Sequence, residues 1–275
     1  DWLHSRWGGK HVRQLHDLGI KVVVTYQDTR ALIEDCPKLQ ALVGVVDHTI
    51  VHEPVEGLTT ETPWATYLRQ GVPARPAYPW LLSHDQDLAY EGQPILGTVG
   101  FDFPWKNYDR LAELTRELGW AFMLISPNLT LDRYAQLLAI NPRLLCPGTG
   151  NMPPRGPGDF LDTPTILRCL AACTATAFMY ECANTGTSGA IRLGIAARKP
   201  VYALERCRQF RDLFLAEQED EVGRLINWVP SWRDFREVLI QSWPVTTDPA
   251  MVYLAERDSL QGVGQVYARI LKEMV

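Results

Sequence analysis

Short apolar runs, rich in β-branched residues, alternate along this chain with longer stretches whose apolar positions recur every three or four residues. Residues 20–26 (IKVVVTY), the VGVVDHTIV run within 41–51, and residues 95–100, 120–125, 143–146, 175–180 and 200–204 are of the first kind. Several lack a polar face altogether, which predicts strands covered on both sides, as in a parallel sheet. The helical pattern falls between them. Residues 12–18 predict a helix that Gly19 is placed to end. Residues 63–70 predict another, with Thr62 as cap, Pro63 in the first turn and Gly71 past the end. Leu111, Leu114, Thr115 and Leu118 share one face of a helix over 108–118 that Gly119 closes. Further helices are predicted at 131–139, at 163–173 with Thr163 as cap and Pro164 in the first turn, and at 190–197, 232–241, 249–257 and 262–274. Residues 148–159, dense in Gly and Pro, predict a loop.

Strand and helix alternate throughout, so the expected class is α/β with open parallel sheets flanked by helices. The alternation restarts after a break. Residues 71–79 hold three prolines and 83–94 are polar without periodicity. We therefore expect two Rossmann-like domains, 1–88 and 89–275. At 275 residues and 46% hydrophobic content the chain has material for two compact units.

The formal charge of −5 and the lack of a basic run argue against a nucleic-acid binder. The six cysteines form no CxxC pair, and Cys169 and Cys173 fall on one helical face, so a reducing, cytoplasmic setting is expected. No charged-then-apolar leader and no apolar run of 18 residues is visible. The chain opens on Asp1 rather than methionine, which suggests a fragment.

Two stretches carry candidate chemistry. Between the runs at 175–180 and 200–204 lies a polar turn that opens directly into an Ala-, Ile- and Leu-rich helix. Gly186, Thr187, Ser188, Gly189 and Ala190 are small, and leave backbone amides uncovered where that helix begins. Free amides at the positive end of a helix dipole form a seat for a diphosphate. The alternative is a tight turn with Ser188 as an ordinary cap. The second stretch is 97–106 (GTVGFDFPWK). A strand ends at Gly100, and Lys106 follows six residues later, just before a helix. In open α/β sheets ligands bind beyond the carboxyl ends of strands, which places Lys106 opposite the Gly186–Ala190 amides. An isolated lysine is ordinarily a surface residue. At a helix N-terminus, however, it opposes the dipole, and that favours a functional reason for it.

GTVGFDFPWKNYDRL at 97–111, YECANTGTSGAIRLGIAARKPVYALERCRQFRDL at 180–213 and AERDSLQGVGQVYARIL at 255–271 together resemble the nucleotide-sugar-binding domain of two-domain GT-B glycosyltransferases, specifically the large retaining group 1, or family 4. The resemblance covers 95–275. Residues 1–87 match only the later part of the acceptor-side domain, as if its opening strands were missing. The resemblance implies transfer of a sugar from a nucleotide-sugar donor to a glycan, lipid or small-molecule acceptor, with retention and without a metal or other cofactor. It allows for peripheral membrane association. It places the family's loop glycine and lysine on Gly100 and Lys106, the lysine stabilising the departing diphosphate; Glu181, before the second loop, is a candidate for a catalytic, polar role near the sugar, its alternative being an ordinary loop acid. Two elements of the pattern are absent. Phe101 stands where the family has an arginine, and no acid lies at 192–194, where a ribose-binding glutamate is expected.

The other motifs read as structure. Asp85-Gln86-Asp87 matches a metal-binding pattern but sits in the polar linker with no strand before it. His48 and His52 bracket a strand-like Thr-Ile-Val, and roughly 13 Å of strand is too long for one metal. Gly148-Thr149-Gly150 is surrounded by prolines that forbid the helix a dinucleotide fingerprint needs. Asn128-Leu129-Thr130 is a glycosylation acceptor in form only. Gln27 and Asp28, at a predicted strand end, are candidates for touching the acceptor; the nine tryptophans read mostly as core or interface, with Trp105 set apart by its place beside Lys106. Two other readings compete. A nucleotide-sugar epimerase would use acids and histidines in the cleft, yet no histidine follows residue 84. A binding protein that has lost catalysis would fit Phe101 and the missing acid.

Overall fold

The structure is a computed structural model, and it describes residues 6–26, 46–52, 65–67, 92–147, 160–181, 187–219, 226–241 and 259–273. It contains two parallel sheets. The first follows helix α1 (Arg6–Asp17) and consists of β1 (Val23–Tyr26), β2 (His48–Val51) and β3 (Ala65–Tyr67), paired in that order. Ile50 and Val51 are fully buried.

β3 corrects the helix expected over 63–70. Pro63 and Gly71 punctuate the segment as they would a helix. Ala65, Thr66 and Tyr67 instead add to the edge of β2, with Thr49 opposite Ala65 and Val51 opposite Tyr67. Tertiary pairing overrides the local signal, as it often does for strands.

The second sheet has six strands: β4 (Ile95–Val99), β5 (Ala121–Ile125), β6 (Leu144–Leu145), β7 (Ala175–Phe178), β8 (Val201–Leu204) and β9 (Asn227–Val229). Every pairing is parallel and the spatial order is β6-β5-β4-β7-β8-β9. All residues of β4, β5, β7 and β8 are buried, which accounts for their unbroken apolar runs. Helices α2 (Tyr108–Glu117) and α3 (Leu131–Ile140) pack together, with α2 against β5. Helices α4 (Thr163–Ala172) and α5 (Gly189–Ala196) pack together against β4. Gly97 and Gly194 permit the close approach of strand and helix. A β-carbon on Gly97 would meet the Cys173 sulfur at 2.5 Å, and one on Gly194 would meet Phe178 at 2.6 Å. The cap of α4 is Asp162, whose carboxylate accepts from the Thr165 amide at 2.9 Å, rather than Thr163. Helix α6 (Arg211–Glu219) and the short β9 complete the sheet region together with α7 (Trp232–Gln241).

The last helix, α8 (Leu260–Glu273), returns to the first sheet. Its Tyr267 hydroxyl lies 3.2 Å from Thr25 Oγ1 and 3.3 Å from His52 Nε2. His52 is thus a buried hydrogen-bonding residue of this contact, in keeping with the structural role expected for it. The expected domain junction near residue 88, the loop at 148–159 and the helix at 249–257 lie outside the described residues.

Candidate functional site

In the second sheet the strand order reverses between β4 and β7. From β4 the chain winds outward through β5 to β6, then crosses back and winds the other way through β8 and β9. Such a reversal opens a crevice beyond the carboxyl ends of the two central strands, because their following loops turn to opposite sides. The two loops that meet there are the ones after β4 and after β7. Of the residues singled out from sequence, they carry Gly100, Lys106, Glu181 and Thr187 to Ala190.

The loop after β4 begins at Gly100, whose φ of +135° suits glycine alone. Its amide donates to the Ile125 carbonyl at 2.9 Å, and its carbonyl accepts from the Tyr108 hydroxyl at 3.2 Å. A β-carbon here would overlap the Lys106 ammonium and lie 3.6 Å from Ala190 Cβ. The glycine loop, the lysine and the start of α5 therefore meet at one point. Lys106 closes a 3-10 turn over Pro104–Lys106 and is buried. Its ammonium stands 5.0 Å from the centroid of the Tyr180 ring and 5.9 Å from that of Phe103. Ring faces attract a cation, so the two rings hold the ammonium at the end of the loop.

Sequence reasoning missed how this turn is anchored. Asn107 adopts the left-handed conformation that Asn tolerates better than most residues (φ 57°). Its side-chain amide donates to the carbonyls of Trp105 and Met179 at 3.1 and 3.0 Å. The Glu181 amide donates to the Trp105 carbonyl at 2.8 Å. Lysine turn and β7 loop are bound directly to each other. Asn128, a glycosylation acceptor in form, is a bracket in the fold: its Oδ1 accepts from the Asp102 amide at 2.6 Å.

On the β7 side, Ser188 is the N-cap residue of α5, yet its side chain makes no capping bond to the helix amides. The hydroxyl is directed to the Tyr180 phenol instead. Burial holds the Tyr180 and Tyr108 phenols protonated far into the alkaline range. Ser188 is anchored through its backbone, its amide donating to the Gln209 carbonyl at 3.2 Å and its carbonyl accepting from Arg192 at 2.7 Å. Thr187 Oγ1 is buried and makes no hydrogen bond, while Gly189 is exposed. Gly186, Gln27 and Asp28 lie outside the described residues.

Glu181 is exposed and engaged. Both carboxylate oxygens accept from Arg110 at 3.1 Å, and the guanidinium lies 4.3 Å from the centroid of the Trp232 indole. Arg192, where the resemblance leads one to expect an acid, is 1% exposed and forms a buried ion pair with Asp212. Among the described residues no three His, Cys, Asp or Glu side chains cluster closely enough to hold a metal ion. No described helix is long and apolar enough to cross a membrane.

A six-stranded sheet in this order, a smaller parallel sheet before it and a final helix that rejoins the smaller sheet make up the two-sheet, Rossmann-like GT-B fold. Solved structures of that fold superpose on the chain. HepE of Anabaena, in complex with UDP-glucose, matches with a TM-score of 0.65 at 13% identity, over 96% of this chain and 75% of that one. Sucrose-phosphate synthase of Thermosynechococcus elongatus matches with 0.66 at 14%, over 97% and 72%. The α,α-trehalose 6-phosphate synthase of Burkholderia multivorans matches with 0.61 at 12%, over 98% and 69%. No protein-family model and no curated protein sequence matches the chain.

Proposed function

We propose that this chain binds a nucleotide sugar in the β4–β7 crevice and transfers its sugar to an acceptor. The observation that carries the reading is the convergence of Gly100, the buried Lys106 ammonium and the start of α5 on one point. Breaking a sugar–phosphate bond leaves negative charge on a diphosphate. Fixed amides at a helix N-terminus and a preplaced ammonium stabilise that charge without reorganising. The departing phosphate itself receives the proton of the acceptor hydroxyl, so no protein nucleophile and no metal enters the scheme, and configuration is retained. Glu181, aligned by Arg110, sits beside the crevice as a polar partner for the sugar. The binding of UDP-glucose by HepE, which shares the fold, supports a nucleotide-sugar ligand.

A second reading, a nucleotide-sugar-binding protein without turnover, is favoured by Phe101 in place of a cation and by the engagement of Glu181 with Arg110. Calorimetric titration with UDP, GDP and ADP tests the common part. One nucleoside diphosphate binds in the micromolar range, and Lys106→Ala weakens it by about 1.5–3 kcal/mol, the worth of a charge-assisted hydrogen bond. Binding of none of the three sinks both readings. Release of free sugar or of a glycosylated acceptor then separates enzyme from binder.

A further inference from the structure

The crevice has an aromatic flank that the diphosphate site does not use. Phe101 and Phe103, on the loop after β4, are 44% and 39% exposed, and Phe160, at the end of the segment after β6, is 64% exposed. These rings nevertheless cluster. Phe101 lies 5.9 Å from Phe103 and 6.1 Å from Phe160, and Phe103 stacks on Trp105 at 4.5 Å with ring planes 16° apart. Lys106 follows Trp105 directly, so the shelf borders the ammonium. The strand order assigns the two regions to opposite sides of the crevice. The helix-start amides follow β7, whereas the shelf follows β4 and β6.

Resting on the reading above, we propose that this shelf is a pyranose subsite, on which a sugar lies with its C–H face against the rings while the crevice holds the diphosphate. Two features of the shelf select a sugar over a lipid surface. Among the described residues the shelf has three exposed rings, enough for one ring-sized ligand and too few for a membrane-binding face. The loop that carries two of them is also held in place. Asp102, between Phe101 and Phe103, is held by Arg133 at 3.0 Å, with its amide pinned by Asn128. Flat apolar faces on a fixed loop, beside the Lys106 ammonium, match a molecule with C–H bonds on its faces and hydroxyls on its edge. Phe101 thereby acquires a role at the position where the resemblance has a cation.

The test is saturation-transfer NMR on the full chain, with methyl glycosides of glucose, galactose and mannose at millimolar concentration, alone and beside a bound nucleoside diphosphate. UDP-glucose and GDP-mannose are run in parallel. Transfer to a methyl glycoside beside bound diphosphate assigns the shelf to the acceptor's ring. Transfer confined to the sugar protons of a nucleotide sugar assigns it to the donor's ring. Either result supports the subsite if Phe101→Ala and Phe160→Ala weaken it about fivefold or more, the worth of one aromatic contact. Both side chains are exposed, and Phe101→Ala keeps the carbonyl that Tyr108 contacts, so the variants fold. Absence of transfer to any sugar proton, or transfer undiminished in both variants, overturns the proposal. So does loss, in the same variants, of binding to phosphatidylcholine vesicles with no sugar signal in the parent. Nucleoside diphosphate affinity, read in the same samples, reports separately on the crevice: if it is present and sugar transfer is not, only the shelf is wrong.

Discussion

Gly100 and Lys106 share one space: the position a β-carbon would take on Gly100 is occupied by the lysine's ammonium. The loop glycine is therefore as much a part of the cation site as the lysine.

Substituting Gly100 tests this directly. Gly100→Ala forces a side chain into φ +135° and displaces the ammonium, so it costs stability of about 1–3 kcal/mol. It is expected to weaken nucleoside diphosphate binding as much as Lys106→Ala does. Calorimetry and thermal unfolding on the two variants check this. A Gly100→Ala chain that binds normally refutes the shared-space account.

The buried Arg192–Asp212 pair predicts asymmetric mutant costs. Asp212→Asn or Arg192→Leu leaves one buried charge without its counter-ion and costs about 3–5 kcal/mol. Arg192→Leu combined with Asp212→Leu restores part of that loss, measurable by urea unfolding.

Arg110 is the reverse case, exposed and dispensable for folding. Arg110→Ala lowers stability by less than ~1 kcal/mol. It releases the Glu181 carboxylate from its bidentate hold, so sugar transfer slows while nucleoside diphosphate affinity stays unchanged. Equal loss of both would mean that the pair serves only the architecture.

The buried thiols and phenols set an alkaline limit. Burial pushes the Cys146 thiol up to about 12 and raises Cys169, Cys173, Tyr108 and Tyr180 as well. Above the ordinary thiol value of 9.0 the unfolded chain loses protons that the folded chain keeps, so the free energy of unfolding falls as pH rises. Denaturation midpoints are expected to hold near neutrality and to drop progressively above about pH 9. A thiol reagent should leave Cys146, Cys169, Cys173 and Cys207, all buried, unmodified until unfolding.

Much of the second sheet was legible because strands buried on both faces must be continuous apolar runs, and β4, β5, β7 and β8 are. The placement of Lys106 and Ser188 after strand ends was legible from the strand–loop–helix pattern around them. What stayed hidden is non-local or short. β9 is three residues, and β3 exists only by pairing with β2. Phe160 joins Phe101 across 58 intervening positions. Arg110, Glu181 and Trp232 come from three separate segments, with no spacing to betray the stack.

Several of the bonds that shape the crevice join main-chain atoms: Glu181 to Trp105, Gly100 to Ile125, Ser188 to Gln209. Every amino acid but proline offers that amide and carbonyl. Those bonds thus outlast a change of side chain, so the main-chain geometry of the crevice does not rest on particular letters at these positions. A chain built this way holds its fold under wide change of sequence, and 13% identity beside a TM-score of 0.65 is one fold written in two different sequences.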